Sequence, residues 1–258
     1  MKAKAFIHSQ RAIVLATIAA IFLTTLVVWP LFTAWIAHHA EMEAVREAQW
    51  REQLAEAECQ CSVARIAACI RSYVRTFGGL PPACRVDDSG IPVHSWRALV
   101  QLTNPPGSND FEDRYSLATP WNSSENLPLL YHEEGNHMAC AANSEAVEAR
   151  YTSYVAVIGE TTLWPGSEGR TDEELEGNED RILFIEIPHT DIPWLEPRDI
   201  TLDDALQMYT EWHGFRHANH PTGLYYATLD GQIHRFSEIR DRQEFARLLQ
   251  IRPVDNTP

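Results

Sequence analysis

Three histidines near the end of the chain have a spacing that suits metal binding. His213, His217 and His220 form the pattern H-x3-H-x2-H. On a helix His213 and His217 would share one face, and imidazole nitrogens are good ligands for zinc and copper. A glycine and a proline within the same stretch oppose a continuous helix there. We therefore expect these histidines to have structural roles, and the metal site is the alternative interpretation.

His220 and Asp230 could also be read as an acid–base pair. Asp230 and Gly231 lie between two segments typical of strands, and this dipeptide predicts a type I′ hairpin turn. Asp230 would then serve the turn. A Gly-x-Ser-x-Gly nucleophile motif is absent from the sequence. The sequence therefore predicts no catalytic residues, no enzyme activity and no cofactor.

The segment 166–180 is rich in acids and glycine, which predicts an exposed loop. Its carboxylates are hard oxygen ligands of the kind that calcium prefers. The spacing is not that of an EF-hand, so a solvated loop is the first interpretation and a calcium site the second. The acids are Glu168, Asp172, Glu173, Glu174, Glu176, Glu179 and Asp180.

Five cysteines leave at least one thiol unpaired within a single chain. Cys84 and Cys140 occur in loop-like contexts, and we predict that they form a disulfide. Cys59 and Cys61 are two residues apart in a helical segment, so their side chains point to different faces. A disulfide or a zinc site formed by that pair alone would have poor geometry.

The overall charge argues against a nucleic-acid partner. Acidic residues number 36 and basic residues 21, which gives a net charge of -15. A protein that binds phosphate backbones carries the opposite sign.

Residues 12–37 contain no charged side chain and predict a helix that spans a lipid bilayer. Residues 1–11 carry three basic and no acidic side chains, so the rest of the chain holds a net -18. This asymmetry predicts a cytoplasmic N-terminus and an outward-facing body. A cleaved signal peptide is the alternative, although the apolar stretch is long for one and no small-x-small site follows it.

The helical pattern continues beyond the predicted span. Residues 41–58 are strong helix formers, and one apolar stripe then runs along residues 63–77. Two glycines followed by two prolines end the pattern. We accordingly divide the chain into a cytoplasmic N-terminus (1–11), a transmembrane helix (12–37), an exposed helical stalk (38–62) and a globular domain (63–258).

The globular domain predicts a mixture of strands and short helices. Segments 153–158, 181–187, 224–229 and 232–236 favour strands, and capped helices are predicted to follow Ser95, Thr201 and Asp241. The expected fold is α+β, with the long N-terminal helix packed on one face of an antiparallel sheet.

This architecture resembles type IV pilins and the pseudopilins of type II secretion. Five stretches, in order, resemble a narrower family, the pilin-like DUF1559 proteins abundant in planctomycete bacteria. They are residues 64–100 with His94 and Trp96 in HSWR, 115–126 with Trp121 in PWN, 152–166, 192–200 with Trp194 and Pro197, and His220 followed nine residues later by Asp230-Gly231. For the tryptophans, core packing is the first expectation and a sugar- or peptide-binding groove the second.

One departure from pilins affects the expected function. Pilin precursors carry a Gly-Phe cleavage site and a glutamate within the apolar helix, whereas here Arg11 is followed by Ala12-Ile13-Val14 and the span has no carboxylate. The resemblance implies a structural or interaction protein of the bacterial inner membrane, single-pass, in a type II secretion or pilus-like assembly with other pilin-like subunits or secretion components. The departure favours an alternative, a stalked membrane-tethered binding domain that enters no filament.

Overall fold

The computed structural model describes residues 2–103, 110–211 and 223–252, and side chains from residue 13 onward. Helix α1 runs from Lys2 to Phe77 and continues through Pro30. The chain divides into two compact units, Met1–Gln53 and Leu54–Pro258, and α1 contributes residues to both. The predicted helix over residues 12–77 is therefore confirmed as one uninterrupted element.

The first unit consists of helix alone. Its apolar side chains from Ile13 to Ile36 are about half exposed or more, and none is buried. The helix is long and apolar enough to cross a membrane. This unit thus has a surface that suits hydrocarbon, as the prediction of a membrane-spanning helix requires.

The second unit adds eight short strands and six helices to α1 in the described part of the chain. The strands are β1 (Cys84–Val86), β2 (Pro92–Ser95), β3 (Tyr154–Val155), β4 (Val157–Ile158), β5 (Ile182–Glu186), β6 (Ile200–Thr201), β7 (Tyr225–Thr228) and β8 (Ile233–Arg235). The helices are α2 (Trp96–Gln101), α3 (Phe111–Arg114), α4 (Ser144–Ala149), α5 (Asp172–Leu175), α6 (Leu202–Glu211) and α7 (Arg242–Leu249). Three 3-10 turns lie at Leu127–Tyr131, Glu133–Met138 and Phe236–Glu238.

The central sheet has four antiparallel strands in the order β3-β5-β7-β8. Successive residues of a strand point to opposite faces, and each face of this sheet has its own hydrophobic cluster. Phe184 and Ala227 share a cluster with Val63, Ile66 and other residues of α1. The α+β prediction, with the long helix on one face of an antiparallel sheet, is therefore confirmed.

A second helical layer covers the opposite face, which the sequence did not predict. Ile185 and Tyr226 point to that side and pack with Leu206 of α6 and Phe245 of α7. The central sheet therefore lies between α1 and the α6–α7 pair.

The caps that fix the short helices form as predicted. The Ser95 hydroxyl accepts from the backbone N–H of Ala98, and the Asp241 carboxylate accepts from that of Glu244. Thr201 and Asp204 satisfy each other's backbone N–H groups in a reciprocal box. Such side chains replace the partners that the first turn of a helix lacks.

Two local predictions about secondary structure need correction. The segment 153–158 forms two strands, because the N–H of Ala156 between them donates to Asp199 Oδ1 at 2.8 Å instead of to a neighbouring strand. The acidic segment contains the one-turn helix α5 rather than loop alone. Its start is fixed by a capping box between Thr171 and Glu174.

The Asp230-Gly231 hairpin is real, but its turn is not type I′. Only Gly231 has a positive φ, of 86°, whereas type I′ needs positive φ at both central residues. Gly231 N donates to Thr228 O, and Thr228 N donates to Gln232 O. This is a three-residue loop, a type I turn followed by a left-handed glycine. A Cβ at Gly231 would come within 2.7 Å of Arg71 Nη1, so the Arg71 side chain on helix α1 would have to move.

Candidate functional site

Three stretches of the family resemblance, 64–100, 152–166 and 192–200, meet at the buried guanidinium of Arg97. Its Nη1 atom lies 2.6 Å from Asp199 Oδ1, and neither side chain has more than 1% of its surface exposed. The same group donates to the carbonyls of Trp194, Glu196 and Arg198 at 2.8–3.0 Å. Arg97 therefore supplies hydrogen bonds to a loop that has little regular structure of its own.

Asp199 is equally engaged. Besides Arg97, its Oδ1 atom accepts from Trp96 Nε1 at 3.2 Å and from the Ala156 N–H. Burial raises the pKa of Asp199, and the Arg97 guanidinium opposes that rise. Pro197 is half-buried in the same loop, between two residues whose carbonyls accept from Arg97. This cluster ties the loop to α2 and to Ala156 through hydrogen bonds and one ion pair.

The other residues of the resemblance pack in a similar way. His94 Nε2 donates to the Leu117 carbonyl at 3.2 Å, so Nδ1 accepts from the Tyr115 hydroxyl at 2.8 Å. Burial lowers the pKa of His94, which suits this neutral ring. Trp194 is fully buried and donates to the Leu130 carbonyl, and Trp121 packs half-buried against the main core. Core packing is thus the observed role of these side chains.

The metal prediction at His213, His217 and His220 falls on residues 212–222, which lie outside the described residues. Asp230, the proposed partner of His220, is described. Its Oδ1 atom accepts from the Thr228 hydroxyl at 2.6 Å and from the Gln232 N–H at 3.0 Å. Asp230 therefore stabilises its own turn.

An Asp–His contact that the sequence did not suggest joins Asp110 to His132. His132 Nε2 lies 2.6 Å from Asp110 Oδ1, a distance typical of catalytic pairs. The other ring nitrogen, Nδ1, accepts from the backbone N–H of Glu134 at 3.2 Å. Because both nitrogens are engaged, the ring has no lone pair with which to accept a proton from a substrate.

Two of the acids proposed for calcium, Glu174 and Asp180, pair with arginines, and Glu174 also caps a helix. Glu174 lies 3.0 Å from Arg170 and accepts from the Thr171 N–H. Asp180 lies 2.9 Å from Arg252. These carboxylates serve as structural ion pairs, which leaves the calcium interpretation without a cluster of ligands among the described acids.

The disulfide prediction is wrong in one partner. Cys140 is bonded to Cys59, with Cα atoms 5.0 Å apart, and Cys84 is a free, half-buried thiol. Cys84 lies on β1 opposite Ser95, so its position is set by that hairpin. Cys59 belongs to the buried stripe of α1, whereas Cys61 is exposed on the other side of the helix. The buried face of α1 packs against the loop after Met138, and this contact brings Cys59 to Cys140. A loop-like local sequence does not determine which cysteines pair.

A groove lies near the C-terminal end of α1. Its volume is about 520 Å³, within the usual range of ligand pockets. Tyr73 and Phe77 pack against each other along it with ring centroids 4.5 Å apart, and Phe77 is 62% exposed. Leu99, Leu102 and Leu117 add further apolar surface, and Arg85 contributes a positive charge. The sequence indicated the aromatic stripe but not that its end would remain uncovered.

Comparison with known proteins adds no identity to this geometry: no protein-family model, curated protein or solved structure matches the chain.

Proposed function

We propose that this chain is a membrane-anchored, pilin- or pseudopilin-like structural or interaction protein of the DUF1559 type, without catalytic activity. The observation that carries the proposal is helix α1. Residues 13–36 of α1 are apolar and exposed on all sides, whereas residues 59–70 present one buried stripe to the core of the second unit. A single helix with both patterns is the feature that the resemblance to pilins leads one to expect.

The proposed orientation places the N-terminus in the cytoplasm and the second unit outside the inner membrane. The excess of basic side chains before residue 12 supports it. The Cys59–Cys140 disulfide supports it independently, because disulfides persist in oxidising compartments and are rare in the cytosol.

Two of the described histidines are held within the fold, which supports a structural role for them. His94 and His132 each use both ring nitrogens in hydrogen bonds within the fold. Arg97 and Asp199, the most buried charged pair, likewise saturate each other and the neighbouring backbone.

Photo-crosslinking in native membranes tests the assembly role. A benzophenone amino acid replaces Val27 in the span, and a matched variant carries it at Glu173 in the exposed acidic segment. An assembling protein should give discrete protein adducts from position 27 and few from position 173, in high-mass membrane fractions. A dispersed monomer with an intact N-terminus and only lipid adducts from position 27 would contradict the assembly role.

The groove favours the second function, a tethered domain that binds a ligand and enters no filament. The span also has no carboxylate, whereas pilin precursors carry a glutamate there. Because a charge in lipid is costly and is retained for function, its absence supports a domain that does not assemble as pilins do. Here the benzophenone amino acid replaces Leu117 in the groove, with Tyr131, 72% exposed outside it, as the control. Adducts specific to position 117 would support binding, and equal labelling at both positions would count against it.

A further inference from the structure

A buried carboxylate lies beside the Cys59–Cys140 disulfide, between α1 and the central sheet. Glu186 on β5 is 1% exposed. One of its oxygens and the two sulfur atoms all lie within 4.8 Å of one another. A helix, a loop and a strand, separated along the chain, thus bring three side chains of metal-binding type to one point.

Reduction would turn the disulfide into two thiols beside this buried acid. Thiolates formed there would add negative charge next to the carboxylate, which accepts from the Tyr225 N–H at 2.9 Å through Oε2. Buried negative charge is costly unless a positive charge compensates it. A divalent cation between the sulfurs and the carboxylate would supply positive charge at this point.

We propose that Cys59 and Cys140, once reduced, bind one zinc ion together with Glu186. The site then has two mutually exclusive states, a disulfide and a metal-bound dithiolate. This inference goes beyond the proposed function, because it concerns the redox state of the domain and requires no filament, ligand or groove.

A dithiol reductant gives two electrons and two protons to the disulfide, so the S–S bond breaks, two thiols form and the reductant becomes a disulfide. Zinc then displaces the two thiol protons to solvent as the Zn–S bonds form. Oxidation by a disulfide of the same chemical class re-forms the S–S bond and releases the zinc ion.

The ligand set selects zinc. Thiolates favour zinc over calcium or magnesium, and a carboxylate is an accepted third ligand. With both its oxygens, Glu186 completes four donors, which is the coordination number of structural zinc sites. The Tyr225 N–H would then orient the carboxylate, as groups outside the ligand shell do in zinc proteins.

The test uses the full-length chain in detergent, in oxidised form and after reduction under nitrogen, with zinc and then cobalt(II) as the probes. We expect one more zinc ion per reduced chain than per oxidised chain after desalting. Cobalt in the reduced chain should give the intense visible bands and thiolate charge-transfer absorption of a tetrahedral site. Metal held elsewhere, for example by histidines, is present in both redox states and cancels in the comparison.

Two variants assign the ligands. Glu186→Gln should still form the Cys59–Cys140 disulfide, yet bind zinc about tenfold more weakly or worse when reduced. A variant with Cys61→Ser, Cys69→Ala and Cys84→Ser should bind as the natural chain does, since those thiols lie outside the group.

Three results would overturn the proposal: no extra zinc on reduction, no thiolate band with cobalt, or unchanged affinity in Glu186→Gln. If Glu186→Gln fails to fold by circular dichroism, Glu186→Asp replaces it, and the cobalt spectrum of the natural chain decides by itself whether thiolates bind metal.

Discussion

The Cys59–Cys140 bond closes a long stretch of chain, so its removal should lower stability markedly. The two residues are 81 positions apart, and chain-entropy loss for a loop of that length corresponds to ~4.5 kcal/mol. We expect the Cys59→Ser/Cys140→Ser double variant, or reduction in the presence of a chelator, to lower the free energy of unfolding by about that amount. The chelator prevents metal from binding to the freed thiols.

Urea denaturation followed by tryptophan fluorescence measures the effect. A urea slope of about 3 kcal/mol/M, the upper end for single domains, converts the loss into a midpoint about 1.5 M lower. Cys84→Ser is the matched control, because Cys84 is a free thiol, and it should leave both the midpoint and its sensitivity to reductant unchanged. Coincident oxidised and reduced curves, or a Cys84–Cys140 peptide in non-reducing digests, would refute the reasoning.

Three further predictions concern the core. Ile66→Asp buries an unpaired charge and should unfold the second unit, at a cost in stability of about 3–5 kcal/mol. Ala68→Asp, at an exposed position of the same helix, should shift the melting temperature little. Equal melting temperatures of the two variants would contradict the prediction. Burial lowers the pKa of His94, so its neutral ring adds stability that is complete above pH 6.5 and is lost as pH falls through the folded pKa. His94→Gln should flatten that part of the profile of urea midpoint against pH. An unchanged profile would contradict the prediction. Asp199→Ala should lower the free energy of unfolding by about 3–5 kcal/mol, because the Arg97 charge stays buried without its partner. The apolar double variant Arg97→Met/Asp199→Leu should not recover this stability in urea unfolding, because the loop carbonyls also lose their donor. Full recovery in the double variant would contradict the prediction.

Features with local signals were predictable from the sequence. The apolar run, the caps at Ser95 and Asp241, and the Asp-Gly hairpin all depend on residues that are neighbours in the chain. Each such signal is a contact between groups at most a few residues apart, so the printed order of residues contains it.

Features that depend on distant neighbours were not predictable in the same way. Ala156 interrupts a segment with good strand composition because Asp199, 43 residues later, takes its N–H. Cys140 pairs with Cys59 because α1 presents that side chain to the loop. The sequence predicted the acidic segment to be solvated or calcium-binding, yet Asp180 lies 2.9 Å from Arg252, which is 72 residues away in the chain.

Helix α1 shows why the first unit requires apolar surroundings. From Cys59 to Ile70 the apolar side chains lie on one side and are buried, while Cys61, Ala64 and Ala68 on the other side are exposed. The apolar side chains of residues 59–70 are thus covered by the core of the second unit. From Ile13 to Ile36, however, apolar side chains cover every side of the helix and none is buried. Since exposing that much apolar surface to water is unfavourable, this segment requires lipid or other helices around it, and the function proposed for the chain begins with that requirement.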